Sequence, residues 1–282
     1  MTNHLVTIIM PCYNSENTLF DSINSVLNNT YSEFELIIVN DGSTDGSLKV
    51  AESFTDRRIH LINRSENRGL IYTLNEGLEC ANGKYILRLD SDDCYLRNSI
   101  EVMINFIEKV NADFIFGNAQ IIDEKGSYMG ETKKLNDHVI RKVNVINSII
   151  HSSVCFRKEL IEELGNYNKD CLGYEDQELW YRFFRANKKM YHLDKSIVKY
   201  RIVKNSCQIR DSSDYYFLVA QYLFRFGDKS SALLLLNKVN KAKNKLIILI
   251  RYFMPLRLAQ YISFKKVKNN YKRGSNGIYR PK

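Results

Sequence analysis

Four short apolar runs recur along the first ninety residues: "LVTIIM" at 5–10, "FELIIVND" at 34–41, "IHLIN" at 59–63 and "KYILRLD" at 84–90. Three of them are continuous rather than alternating, which marks strands buried on both faces. Helical patterns lie between them. Residues 15–28 carry Leu19, Ile23, Val26 and Leu27 on one helical face, and 69–81 reads as a second helix. Strands and helices alternating at this spacing predict an α/β fold around a largely parallel sheet. Pro11 is expected to stop the first strand. In such sheets ligands bind beyond the carboxyl ends of the strands. Asn14, Asp41 and Asp90 each fall at such an end, so three separate loops bring polar groups to one edge.

The pattern continues with a helix over 99–110, a strand over 113–122, and a short strand then a helix within 151–167. Residues 173–189 begin acidic and end basic, as the helix dipole favours. Residues 213–239 read as a helical hairpin turning at Gly227 and Asp228. "KLIILIRYFMPLRLAQYISF" at 245–264 is apolar but interrupted by Arg251, Pro255 and Arg257. A spanning helix needs ~20 largely uncharged apolar residues, so an interfacial amphipathic segment suits this stretch better.

Charge divides the chain in the same place. Residues 229–282 hold 14 of the 41 Lys and Arg and none of the 32 Asp and Glu, leaving 27 basic against 32 acidic residues in 1–228. A mildly acidic body with a strongly basic tail points to an anionic partner for the tail, a membrane surface or a nucleic acid. The six cysteines (12, 80, 94, 155, 171 and 207) form no CxxC pair and no zinc-type spacing, consistent with reduced thiols in a cytoplasmic protein. The opening residues run directly into a strand, so no secretory leader is expected.

Within "YILRLDSDDCYL" (85–96), Asp90, Asp92 and Asp93 fall within four positions. Like charges this close repel, so a positive group or a well-solvated turn should accompany them. Two carboxylates at i and i+2 can face one hard cation. Mg2+ takes only one or two protein carboxylates and fills its shell with water and phosphate oxygens. "DSDD" therefore reads either as half of a metal-diphosphate site or as a plain polar turn. An EF-hand loop is excluded by Cys94 and Tyr95 at its fifth and sixth positions. "NDGSTDGS" (40–47) is turn material, in which Asp41 is placed to accept hydrogen bonds from a nucleobase or ribose. No GxGxxG follows the first strand and no GxxxxGK[ST] occurs, which disfavours dinucleotide-binding and P-loop folds.

Four motifs in order, "VTIIMPCYNSENTL", "ELIIVNDGSTDGS", "NRGLIYTLNEGL…ANGKYILRLDSDD" and "GYEDQELWYRF", resemble those of the family 2 inverting glycosyltransferases. The resemblance covers about 5–205. It implies the GT-A fold: a Rossmann-like, mostly parallel central sheet flanked by helices, with a nucleotide-sugar half (1–98), an acceptor half (99–205) and a basic helical C-terminal extension (206–282). It implies a UDP-sugar donor, with Asp41 on the uracil, and Pro11, Tyr13, Asn14, Asn67 and Ser91 around the nucleotide-sugar. Asp90 and Asp92 resemble the DxD pair, Asp90 facing the ribose and Asp92 a Mn2+ or Mg2+ ion. Asp176 matches the general base, with Glu175 and His151 on the acceptor side. Arg88 resembles a subgroup common in bacterial surface-polysaccharide synthesis, for which the acceptor is a polyprenyl-diphosphate-linked saccharide. Many relatives carry a histidine shortly after a "YR" pair. Here Val203 stands there, and Arg201 and Lys204 are alternative contacts to the diphosphate.

A lipid-linked acceptor would give the basic tail a reason, at the inner face of the cell membrane. A cap packed on the catalytic domain is the other reading, and no nucleic-acid module supports RNA binding. Two further function classes stand beside the transferase. A sugar-nucleotide nucleotidyltransferase would normally carry a glycine-rich N-terminal loop ending in a basic residue, which is missing. A non-catalytic carbohydrate-binding or membrane-associated protein would need no base at Asp176.

Overall fold

The structure is a computed structural model that describes residues 4–132, 149–169, 171, 175–202 and Leu233. The helical hairpin, the interfacial segment and the basic extension expected beyond 206 lie outside these residues, Leu233 apart.

The first half is a parallel βα array. Strands β1 (Val6–Cys12), β2 (Phe34–Asp41), β3 (Ile59–Arg64) and β4 (Tyr85–Arg88) pair in the order β3-β2-β1-β4. Helices α1 (Leu19–Leu27), α2 (Ser47–Glu52) and α3 (Leu70–Cys80) connect them. The continuous apolar runs serve two cores. Ile8, Met10, Leu36, Ile38 and Leu87 face α1 and α4 (Ser99–Lys109). Ile9, Ile37, Val39 and Ile86 face the other way, towards α3. Alternate residues of one strand thus enter opposite cores, as a sheet covered on both sides requires. Helix α3 approaches closely at Gly77, where a Cβ would lie 2.6 Å from Ile9 Cγ2.

The second half makes the sheet mixed. Beyond β4 come β8 (Val154–Arg157), β6 (Phe114–Ile122), β9 (Met190–Arg201) and the two-residue β5 (Cys94–Tyr95), while β7 (Tyr128–Glu131) pairs with β6. β8 runs antiparallel to both β4 and β6, so β6 returns to the direction of β4. Helices α5 (Glu159–Leu164) and α6 (Glu175–Arg185) pack on the second core through Leu160, Ile161, Leu179, Trp180 and Phe183. No helix among the described residues is long and apolar enough to cross a membrane.

Two local expectations are corrected. The first strand does not stop at Pro11: β1 continues to Cys12, with Pro11 opposite Val39. Leu89 N–H donates to Ile9 C=O, so odd-numbered residues of β1 direct their backbone groups towards β4. Pairing with β4 has ended at Ile9, so the N–H that proline lacks has no ladder partner to lose. The first helix begins at Leu19 rather than at residue 15. Thr18 and Leu19 N–H both turn back onto Ser15 C=O, and the preceding loop is held by other loops instead.

Candidate active site

The loops after β1, β2 and β4 are clasped to one another. Asn14, in the left-handed region at φ 51°, accepts Thr44 N–H at 2.8 Å and donates its own N–H to Ser43 Oγ at 3.0 Å. Ser15 N–H donates to Ser47 Oγ at 2.7 Å, and Gly46 N–H to Glu16 Oε2 at 2.7 Å. Ser15 Oγ lies 2.7 Å from Ser91 Oγ, while Thr18 and Ser22 hydroxyls both donate to Ser91 C=O at 2.9 Å. Asn14 and Ser91, expected to touch the nucleotide-sugar, therefore already hold the loops in register. Tyr13 projects outward from the same loop, 49% exposed, and Pro11 is buried in β1.

Asp41 ends β2 almost fully buried. Its Oδ1 accepts Arg64 Nη1 and Arg68 N–H, each at 2.9 Å, and its Oδ2 accepts Gly69 N–H at 2.8 Å. Burial works against the charged carboxylate. The bonds from Arg68 N–H, Arg64 and Gly69 N–H together outweigh it and hold the pKa below the usual value. The side chain thereby holds the two backbone N–H groups that lead into α3, which begins at Leu70. Gly42 makes the turn that follows. At φ +65°, a Cβ there would lie 2.5 Å from Glu66 C and 2.6 Å from Asn67 N. Only glycine lets the loop after β2 and the exposed loop carrying Asn67 approach this closely.

The carboxylates after β4 meet the positive group that their crowding demands. Arg88, 2% exposed, places Nη2 2.5 Å from Asp90 Oδ1. Ser152, in the 3₁₀ turn His151–Ser153, donates to Asp90 Oδ2 and accepts Asp90 N–H, both at 3.1 Å. Burial would raise the Asp90 pKa, but Arg88 beside it lowers it below the usual carboxylate range. Among the described residues Asp92 forms no comparable ion pair. Burial, and then the charge of Asp90, push its carboxyl up to about 6. Asp93 is wholly buried, and its Oδ1 accepts Arg201 N–H at 2.8 Å. Its pKa is raised far above normal by burial and by its two neighbours.

Arg201 is largely buried, with two guanidinium nitrogens held by backbone carbonyls. Its Nε donates to Asp92 C=O at 2.8 Å and its Nη1 to Glu124 C=O at 2.9 Å, tying the carboxylate turn to the β6–β7 turn. Lys204 lies outside the described residues.

The acidic pair sits in the first turn of α6, Glu175 buried and Asp176 partly exposed. Asp176 Oδ1 accepts Gln177 N–H at 2.7 Å, so a helix N-terminus supports its negative charge. His151 links this helix to the carboxylate turn. Its ring stands edge-on to Trp180 of α6, and its Nε2 lies 2.8 Å from the Tyr167 hydroxyl. Burial and then Arg88 depress its pKa to about 3, so the imidazole is neutral. Tyr167, held by Asn75 of α3 through paired bonds of 2.9 and 3.0 Å, is within electrostatic reach of Arg88, Asp176, Glu175 and Asp90. It is the residue that sequence reasoning missed, because nothing local marks a tyrosine after a helix-ending glycine as a bridge.

Among the described residues no group of three or more His, Cys, Asp or Glu side chains is arranged to hold a metal ion. The donor set nevertheless fits a hard divalent cation that takes only part of its shell from protein. One carboxylate, Asp90, is paired with arginine, while Asp92 has no ion pair among the described residues and is only partly offset by Arg201 and Arg88.

Residues 7–169 match the family described as "Glycosyl transferase family 2". The putative glycosyltransferase EpsE of Bacillus subtilis is 29% identical over 282 residues, spanning 94% of this chain and 95% of that protein. An uncharacterized glycosyltransferase of Rickettsia conorii is 34% identical over 69% of this chain, and the chain spans only 33% of that protein's length. Over 44% of the chain and 49% of the other protein, identity reaches 40% with WfgD of Escherichia coli, named as a UDP-Glc:alpha-D-GlcNAc-diphosphoundecaprenol beta-1,3-glucosyltransferase. Among solved structures, the mannosyltransferase PcManGT of Pyrobaculum calidifontis in complex with GDP-Man and Mn2+ superposes with a TM-score of 0.61 at 18% identity, covering 100% of this chain and 78% of that one. S. aureus TarS 1-349 in complex with UDP-GlcNAc superposes at 0.58 and 17%, covering 98% and 93%. The fold is thus the GT-A-like α/β fold expected from the sequence. With more than half of its length matched by the family, the chain belongs to glycosyl transferase family 2.

Proposed function

We propose that this glycosyltransferase moves a sugar from a UDP-sugar to a saccharide acceptor carried on a lipid diphosphate, with inversion at the anomeric carbon. The observation that carries the reading is that buried Tyr167 feels the charges of both the Arg88–Asp90 pair and the Glu175–Asp176 pair. The donor-side carboxylate turn and the candidate base thus act electrostatically on one side chain. The complexes of S. aureus TarS with UDP and with UDP-GlcNAc support the donor class, and the lipid-diphosphate acceptor of WfgD supports the acceptor class.

In this reading the acceptor hydroxyl oxygen attacks the anomeric carbon as the bond to the UDP oxygen breaks. The proton passes to Asp176, whose carboxylate is stabilised for that role at the N-terminus of α6. Asp92 would hold a Mn2+ or Mg2+ ion, which when bound supplies positive charge to the departing diphosphate. Arg88 anchors Asp90 towards the ribose. Its Nε and Nη1 are buried and have no hydrogen-bond partner among the described residues, so the guanidinium acts through its charge. Asp41 has one oxygen with a single partner, which suits a contact to uracil. Asn14, Ser91 and Asn67 shape the loops around it, while His151, with Glu175, lies on the acceptor side. Residues 1–205 form the catalytic unit, and the basic extension brings it to an anionic membrane face in the cytoplasm, in surface-polysaccharide synthesis.

The test is a screen of UDP-sugars with Mn2+ or Mg2+ and a polyprenyl-diphosphate saccharide. Transfer that is abolished by EDTA and by Asp92→Ala is the expected result. Transfer unaffected by both overturns the metal role.

A further inference from the structure

Beside the carboxylate site lies an open cleft of about 410 Å³ that none of the roles above uses. One wall is the outer face of α3 and the other is the segment 166–169. Tyr167 belongs to both places: it lines this cleft and reaches His151 with its hydroxyl. Tyr72 stands 37% exposed in the cleft, and two cations lie over its ring. Arg68 Cζ and Lys169 Nζ are each 4.8 Å from the ring centroid, so the charges are separated by no more than twice that distance.

The third cation of the lining, Arg64, is already neutralised by Asp41 and Glu76. Neither Arg68 nor Lys169 has a carboxylate partner among the described residues, and only Glu79 remains in the lining to oppose them. Two like charges held together repel. Stacking on Tyr72 lessens that repulsion, and an anion between them reverses it. The fork of Arg68 suits the paired oxygens of a phosphate, and stacking already restricts its rotamers. The volume lies in the range of ligand sites.

The geometry points to this cleft as the seat of the phosphate or diphosphate group of the acceptor. The assignment to the acceptor rests on the transferase reading; the anion site itself does not. Anchored there, the acceptor's saccharide extends past Tyr167 towards Asp176. The donor diphosphate is held elsewhere, on the Asp90–Asp92 turn.

Binding of inorganic pyrophosphate to the full chain in EDTA, followed by calorimetry, decides the site. Arg68→Gln/Lys169→Gln is expected to weaken it about tenfold or more. Equal affinity of the double variant and the wild type overturns the proposal. Kinetics then assign the source. With an acceptor on a lipid diphosphate the double variant should raise KM about tenfold with little change in kcat. With the same saccharide on a neutral alkyl group KM should not move. Equal KM changes for both acceptors, or a loss confined to binding of phosphatidylglycerol vesicles, overturns the acceptor assignment. If the wild type transfers to neither acceptor, the transferase reading fails and the pyrophosphate comparison alone decides the cleft.

Discussion

Arg88 Nη2 and Asp90 Oδ1 lie 2.5 Å apart at the end of β4, the arginine buried beneath a turn crowded with carboxylates. This pair helps Asp90, Asp92 and Asp93 coexist, because Arg88 makes the largest contribution to keeping Asp90 ionised against burial. Arg88→Met should therefore leave carboxylates uncompensated. Breaking a buried pair from one side costs ~3–5 kcal/mol, and with the Asp90 side chain 32% exposed the loss should fall at or below that range. Urea unfolding measures it. A loss under about 0.5 kcal/mol, typical of a neutral surface change, would show that the charges are balanced elsewhere.

Gly42 separates the stability of one loop from the chemistry of another. Gly42→Ala meets both a left-handed backbone and the main chain of Glu66 and Asn67. The conformation alone costs about 1–2 kcal/mol, and the clash adds to it. The expected outcome is weaker UDP binding from a displaced Asn67 loop, read by calorimetry, with a lowered melting temperature. Unchanged UDP affinity would detach this loop from the nucleotide pocket.

His151 makes an acid limb in stability. Burial and Arg88 hold its folded pKa near 3, whereas an unfolded histidine titrates near 6.5. Between those values the unfolded chain binds the proton and the folded one does not, so stability falls as pH drops from about 6.5 towards 3, by up to about 1.4 kcal/mol per pH unit. His151→Gln keeps a polar group near the Tyr167 hydroxyl and removes the proton. Its urea midpoint should decline less steeply than that of the wild type from pH 6 to 4. Identical slopes would mean that His151 is solvated and titrates normally.

The parallel half was legible because its strands are continuous apolar runs that fill two cores, as Ile8 and Ile9 show by facing opposite ways. Repulsion alone called for a positive group or a solvated turn beside the three aspartates, and Arg88 is a positive group there. β9 was not. Its twelve residues mix Asp194, Lys195 and Lys199 with apolar positions, and its pairing slips from Gly117↔Leu193 to Asn118↔Ser196, so no single period runs through it. The partners of Arg201 were hidden for a related reason: they are backbone carbonyls of Asp92 and Glu124, which composition cannot reveal. The Tyr167 bridge depends on Asn75, 92 residues away, a contact that only the folded chain brings together.

The central claim, that Asp176 is the base of an inverting transfer on the Asp90–Asp92 turn, is tested by the anomeric configuration of the product and its rate with Asp176→Asn. An α-linked UDP-sugar should give a β-linked product by NMR. The variant should fold and bind UDP as the wild type does, yet transfer ~10^2–10^4-fold more slowly. An α-linked product, or transfer by Asp176→Asn at the wild-type rate, would contradict it.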